Sequence, residues 1–99
     1  GDRAQIGPLE ISGTTSSVTA GGRSVDLTPT ELELLRALAA SDGYVSTPDL
    51  LMRVWGPAYH TEHEYVRAYV RRLRDKLAAI GHGELIESRP GLGYRLRVD

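Results

Sequence analysis

Between residues 62 and 80, Val66, Val70, Leu73, Leu77 and Ile80 follow one another at steps of 4, 3, 4 and 3 residues. Such positions come into line only on an α-helix with one buried edge, because residues three and four apart share a helix face. The period predicts a helix from Thr61 or Glu62 to Ile80, closed by Gly81-His82-Gly83. A single narrow apolar stripe cannot form a core alone, so this helix needs partners. At about 100° per residue, His63, Arg67, Arg71 and Arg74 fall on one flank of the stripe. Tyr65, Tyr69, Arg72 and Lys76 fall on the other, with Glu64, Ala68 and Asp75 opposite it.

The partners stand upstream. Thr28-Pro29-Thr30-Glu31 combines an N-cap hydroxyl, a proline at the first helical position and the glutamate of a capping box. Leu32, Leu35, Leu38 and Ala39 then recur at helical spacing, with Gly43 expected as the stop. Tyr44-Val45-Ser46 reads as a short extended link. Thr47-Pro48 repeats the capping device and opens a second helix to about Trp55, which Gly56-Pro57 breaks. Ahead of the helices, the alternating segments LEIS, SSVTA and RSVDL between Leu9 and Leu27 predict two or three short antiparallel strands. After them, Leu85-Ile86-Glu87-Ser88 and Tyr94-Arg95-Leu96-Arg97-Val98 predict a hairpin joined by Arg89-Pro90-Gly91-Leu92-Gly93. The plan is α+β: a linker tail at 1–8, then one domain at 9–99, with strands at 9–27, a three-helix core at 28–80 and a β-hairpin at 84–98.

Composition bounds the chemistry. Of 99 residues 40% are apolar and 25% charged, enough for one modest core. The absence of cysteine removes disulfides, thiolate metal sites and cysteine nucleophiles, and fits a reducing cytoplasm. No apolar run approaches the ~20 residues of a membrane span, and no signal-peptide pattern opens the chain. It starts at Gly1 rather than Met, as a piece of a longer protein would. His60 and His63, three apart near Glu62 and Glu64, lack the further histidines or cysteines of a metal site. No nucleophile elbow or phosphate-cradling loop is present, and Gly91-x-Gly93 precedes a strand rather than a helix, so neither an enzyme nor a cofactor is expected. Trp55 ends an apolar helix and reads as core.

The net charge of −1 hides an asymmetry. Residues 1–59 carry four basic groups against seven acidic, whereas residues 60–99 carry eight against six. From Tyr65 to Leu77 there are five cations and one acid. A solvated face usually mixes signs, so this concentration points to a polyanion. A helix packed on its domain by one edge, with guanidinium groups on both shoulders and small or polar groups at its crest, suits the major groove of duplex DNA. A glycine-rich hairpin tip that carries Arg89 suits the neighbouring minor groove. The competing class is a protein-interaction module whose basic face meets an acidic protein.

Four stretches together carry a resemblance: Leu27-Thr28-Pro29-Thr30-Glu31-Leu32-x-Leu34-Leu35, then Leu50-Leu51 through Val54-Trp55-Gly56, then Val66 and Val70-x-Arg72-Leu73-Arg74-x-Lys76-Leu77, then Gly91-x-Gly93-Tyr94-Arg95. In this order and spacing, over about residues 9–98, they resemble the effector domain of OmpR/PhoB-type response regulators. The resemblance implies a winged helix-turn-helix with an N-terminal four-stranded sheet. It also implies an upstream receiver domain, phosphorylated on aspartate and absent from this chain, and dimers on tandem direct-repeat half-sites. By position, the family's groove and phosphate contacts fall on Tyr65, Arg67, Tyr69, Arg71, Arg72 and Arg74. Its RNA polymerase contact falls on the loop from Gly56 through Pro57, Ala58, Tyr59 and His60 to Thr61. His63, Lys76 and Arg89 complete the expected DNA-facing set. Two positions depart from the family: Glu64-Tyr65-Val66-Arg67 stands where many members carry Arg-Thr-Val-Asp, and Pro90 stands where many carry a wing-tip arginine. Trp55-Gly56-Pro57-Ala58-Tyr59 and the segment at 65–69 look similar to the KdpE branch, regulators of potassium-transport genes.

Overall fold

The computed structural model describes residues 3–97; Gly1, Asp2, Val98 and Asp99, at the ends of the expected tail and hairpin, lie outside the described residues. The chain begins with four short strands, β1 (Arg3–Ile6), β2 (Leu9–Ser12), β3 (Ser17–Ala20) and β4 (Arg23–Asp26), in an antiparallel meander of order β1-β2-β3-β4. Three of them are the alternating segments of the sequence. The fourth is a correction: Arg3–Ile6, expected within a linker tail, pairs with β2 in the register Arg3↔Ser12 to Ile6↔Leu9. This edge strand is exposed at Arg3, Ala4 and Gln5, so it carries almost no buried alternation by which sequence could reveal it. Leu9, Ile11, Val18 and Ala20 point to one face and are buried beneath the helices.

Helix α1 (Pro29–Ala39) starts as its capping box dictates. Thr28 Oγ1 accepts from the Glu31 N–H at 3.2 Å, and Glu31 Oε1 accepts from the Thr28 N–H at 2.8 Å. The helix stops earlier than Gly43, at a C-cap on Ala40 whose N–H returns to the Arg36 carbonyl at 2.9 Å. Gly43 is absent from the left-handed glycines, so it is not the stop. Helix α2 (Thr47–Val54) is capped one residue upstream of expectation, by Ser46 Oγ on the Asp49 N–H at 3.2 Å. Ser46 has the extended backbone a cap requires, which places Thr47 and Pro48 inside the first turn. A single 3-10 turn, Pro57–Tyr59, leads to helix α3 (His63–Ala79). Its C-terminus is a Schellman motif: the His82 N–H reaches the Leu77 carbonyl at 2.8 Å and the Gly81 N–H reaches that of Ala78 at 3.0 Å. Gly81 occupies the left-handed position this closure needs, at φ +89°.

The apolar stripe of α3 is buried. Val66, Val70, Leu73, Leu77 and Ile80 join Leu34, Leu35, Leu38, Leu50 and Leu51 in one core capped by the sheet. The final hairpin, β5 (Ile86–Arg89) and β6 (Gly93–Leu96), pairs Ile86↔Leu96 through Arg89↔Gly93. It is tied back to the α1–α2 link, where Val45 and Tyr94 exchange both backbone hydrogen bonds, at 2.7 and 3.0 Å. Gly93 makes this possible. At φ +118° a Cβ there would stand 2.0 Å from the Val45 carbonyl oxygen.

Candidate nucleic-acid interface

The core fixes which sides of α3 meet solvent. His63, Glu64, Tyr65, Arg67, Ala68, Arg71 and Arg72 are exposed, Tyr69 and Arg74 half-buried. Two shallow hollows run along the Arg67 flank. One is lined by Arg67, Val70, Arg71, Arg74, Asp75 and Tyr94. The other opens toward the hairpin, between Arg67 and the turn Arg89-Pro90-Gly91. On the opposite flank a wider groove is lined by Trp55, Tyr59, Glu64, Tyr65, Ala68, Tyr69 and Arg72. The exposed face of α3 is thus a helical crest with two hollows on one flank and one groove on the other, and the hairpin turn borders one of the hollows.

The basic residues divide by what already holds them. Arg71 has no hydrogen bond or ion pair to the protein among the described residues, and its guanidinium is open to a ligand. Arg72 lies over the Tyr69 ring at 4.8 Å, a cation–π contact that orients it without consuming its donors. Arg67 pairs with Glu64 at 3.1 Å, both strongly exposed. Arg74 is turned inward: Nε and an Nη donate to the Ile86 carbonyl at 3.1 and 2.9 Å, fastening the helix to β5.

Lys76 leaves the expected set. Its Nζ donates to Glu31 Oε1 at 2.6 Å, across the α1–α3 interface, where the glutamate is almost fully buried. Burial raises the Glu31 carboxyl, but hydrogen bonds from Lys76 and from the Thr28 backbone outweigh it and hold the carboxyl below its ordinary value. Lys76 thus serves within the fold as counter-charge to a buried acid.

The aromatic residues are likewise shared between packing and surface. Trp55 packs on the core as expected, and its ring also meets Tyr69 edge-on at 5.3 Å and Tyr65 at 6.0 Å. Tyr59, from the 3-10 turn, leans on Tyr65 at 5.9 Å. The Gly56–His60 loop therefore sits beside the N-terminal half of α3 rather than apart from it.

The hairpin is braced by residues that sequence reading did not single out. The Tyr44 hydroxyl donates to Glu87 at 3.0 Å, and Arg95 donates to the same carboxylate while lying 4.7 Å over the Tyr44 ring. Those bonds, first from Arg95 and then from Tyr44, lower the Glu87 carboxyl from its ordinary value. Arg89, exposed at the base of the turn, also lies over the Tyr44 ring, 5.9 Å from its centre. Arg95, read in the sequence as part of the second hairpin strand and of the Gly91-x-Gly93-Tyr94-Arg95 stretch, is thus part of the brace. The signal for Tyr44 was present only as a lone tyrosine in an extended link.

Three helices, a four-stranded N-terminal meander and a C-terminal hairpin packed beside the third helix define a winged-helix DNA-binding domain. The family model described as "Transcriptional regulatory protein, C terminal" matches residues 22–96. The chain belongs to that family, the OmpR/PhoB-type DNA-binding domains of response regulators, which are transcription regulators and not enzymes. It is 44% identical over 83 residues to the transcriptional regulatory protein KdpE of Mycobacterium tuberculosis, covering 82% of this chain and 37% of the relative. It is 33% identical over 97 residues to the response regulator ArlR of Staphylococcus aureus, covering 97% of this chain and 44% of the relative. The chain thus spans less than half the length of either. Among solved structures, the DNA-binding domain of the response regulator AdeR, in complex with an intercistronic region, superposes with a TM-score of 0.81 at 23% identity, over 97% of this chain and all of that one.

Proposed function

We propose that this chain is the part of a cytoplasmic two-component response regulator that reads specific duplex DNA, with α3 in the major groove and the Arg89 turn at the flanking minor groove. The observation that carries the reading is the solvent side of α3, where Arg67, Arg71 and Arg72 stand exposed on its two flanks while the opposite edge is locked into the core. Arg71 and Arg72 are assigned to phosphates, since backbone contacts set register and are read from the shoulders of a helix. Arg67 and Tyr65, nearer the N-terminal end, are assigned to base edges. Tyr69, half-buried against Trp55, contributes by holding Arg72 in place. His63, at the first position of α3, is assigned to the backbone near the helix entry.

A receiver domain upstream, phosphorylated on aspartate, would bring two such domains onto tandem direct repeats. The exposed Gly56–His60 loop would then meet RNA polymerase, as its place in the family suggests. What supports these assignments is family membership together with the exposure of the loop. The test is a salt titration of the chain on duplex DNA. Each neutralised phosphate releases counterions, so binding through several contacts falls steeply with salt. Absence of binding at ~50 mM salt, or a flat dependence, would turn the reading toward an acidic protein partner.

A further inference from the structure

The Glu64–Arg67 pair crowns the crest of α3. Glu64 lines the aromatic groove on one side and Arg67 lines both hollows on the other, so their 3.1 Å contact bridges the ridge between them. Both side chains are at least 70% exposed, and an exposed pair of this kind adds only ~0–1 kcal/mol to stability. Glu64 also stands in the first turn of α3, where an acid is favoured by a few tenths of a kcal/mol (about 0.3–1), so the pair adds little to the fold. A carboxylate on a face turned to a polyanion is also a liability, because phosphate oxygens only accept hydrogen bonds and repel it. The liability disappears at one kind of site. In the major groove the edge of a G·C pair presents, in order, guanine N7 and O6 as acceptors and cytosine N4 as donor. The fork of Arg67 supplies two donors and the adjoining Glu64 supplies an acceptor, the complementary order on neighbouring atoms.

Resting on the DNA-binding reading above, we propose that the Glu64–Arg67 ion pair reads a single G·C base pair as one unit, with Glu64 the specificity-determining residue. Arg67 donates to guanine while Glu64 accepts from the cytosine amine and stays in contact with Arg67. Over an A·T pair the second and third groups change character: adenine N6 donates where guanine O6 accepts, and thymine O4 accepts where cytosine N4 donates, so one donor of Arg67 meets a donor and Glu64 faces an acceptor. Over phosphate the carboxylate holds Arg67 back. Glu64 thus works against wrong sites as much as for the right one, a repulsive element built into recognition.

The experiment starts by selecting high-affinity duplexes from a random pool with the 99-residue chain, then replacing each base pair of the selected site in turn. The wild type is expected to lose about tenfold or more at one G·C pair when it becomes A·T. R67A should become indifferent at that same pair. E64Q, which keeps the shape and removes the charge, should also lose its preference there. E64Q should in addition bind random duplex more tightly, with a salt slope steeper by about one phosphate contact, because Arg67 is released. Full G·C discrimination by E64Q, or loss at a different pair from R67A, would overturn the proposal while leaving DNA binding intact. A wild type that enriches no duplex at all would instead remove the reading beneath it, and the proposal with it.

Discussion

Lys76 and Glu31, 45 residues apart, meet at 2.6 Å on a carboxylate oxygen that also accepts the Thr28 backbone N–H. One oxygen thus ends the capping box of α1 and anchors α3. The side chain that sequence pattern assigned to a DNA-facing flank is a structural cation instead.

Replacing Lys76 with Met should therefore destabilise the fold without changing how it binds DNA. Removing one member of a buried pair leaves its partner desolvated and unmatched, which costs about 3–5 kcal/mol when both are fully buried. Lys76 keeps about a third of its side chain in water, so a loss of about 2 kcal/mol is expected. The urea midpoint reports this directly, and the salt slope on DNA should stay at the wild-type value. A changed slope with an unchanged midpoint would return Lys76 to the interface. The double variant E31Q/K76M should recover part of the loss, since neither charge is then stranded.

The same oxygen predicts the direction of acid sensitivity. Glu31 has a folded-state pKa below its ordinary value, despite burial, because Lys76 and Thr28 favour the ionised form. Its contribution is complete above the ordinary carboxylate range, about pH 4.3, and is lost as pH falls through the depressed folded value. Glu87, lowered by Arg95 and Tyr44, adds in the same direction. Denaturant titrations between pH 6 and pH 3 should show stability falling, and E31Q should flatten that fall. An acid limb equally steep in E31Q would place the responsible carboxylate elsewhere.

These cases show what local pattern carries and what it omits. The Thr28–Glu31 box, the α3 stripe and the Gly81 closure each link residues no more than five positions from the next, and each was legible. The partner of Lys76 lies on another helix, and helical phase alone cannot tell a cation facing solvent from one facing a buried acid. Arg74 has the same history: its angle on α3 was read correctly, but its acceptor is a backbone carbonyl of β5, which no side-chain pattern marks. Ser46 and Thr47 are both good caps before a proline, and only the backbone conformation at Ser46 separates them. Glu64 and Arg67, by contrast, stood out as an exchange of acid and base, and they meet in space.

Gly93 is where the wing is attached, and alanine should detach it. A Cβ would collide with the Val45 carbonyl, and the residue's φ of +118° is strained for any L side chain. Gly93→Ala should cost more than about 2 kcal/mol, well beyond an ordinary surface change. Amide exchange should accelerate at Val45 and Tyr94, whose mutual hydrogen bonds hold the hairpin to the α1–α2 link. Gly91→Ala also strains a left-handed residue, at φ +83°, but meets no atom within 4 Å. It should be the milder of the two and leave the Val45 amide protected. Equal exchange in both variants would mean that the bridge does not carry the wing.

Arg71 and Arg74 lie on one flank of α3, and by helical phase they should be equivalent phosphate contacts. Their partners say otherwise. Arg71 is exposed without a protein acceptor among the described residues, while Arg74 spends two donors on the Ile86 carbonyl. Arg71→Ala should weaken binding to all duplexes alike, reduce the salt slope by about one and leave the urea midpoint unchanged. Arg74→Ala should instead lower stability by about 1–2 kcal/mol, since the half-buried carbonyl loses charge-assisted bonds. Any loss of affinity in Arg74→Ala should come with a mobile wing, visible as faster amide exchange across β5, and not with a lower slope. Arg74→Lys discriminates further: it keeps the charge but not the fork, so it should restore a purely electrostatic role and fail to restore a bracing one.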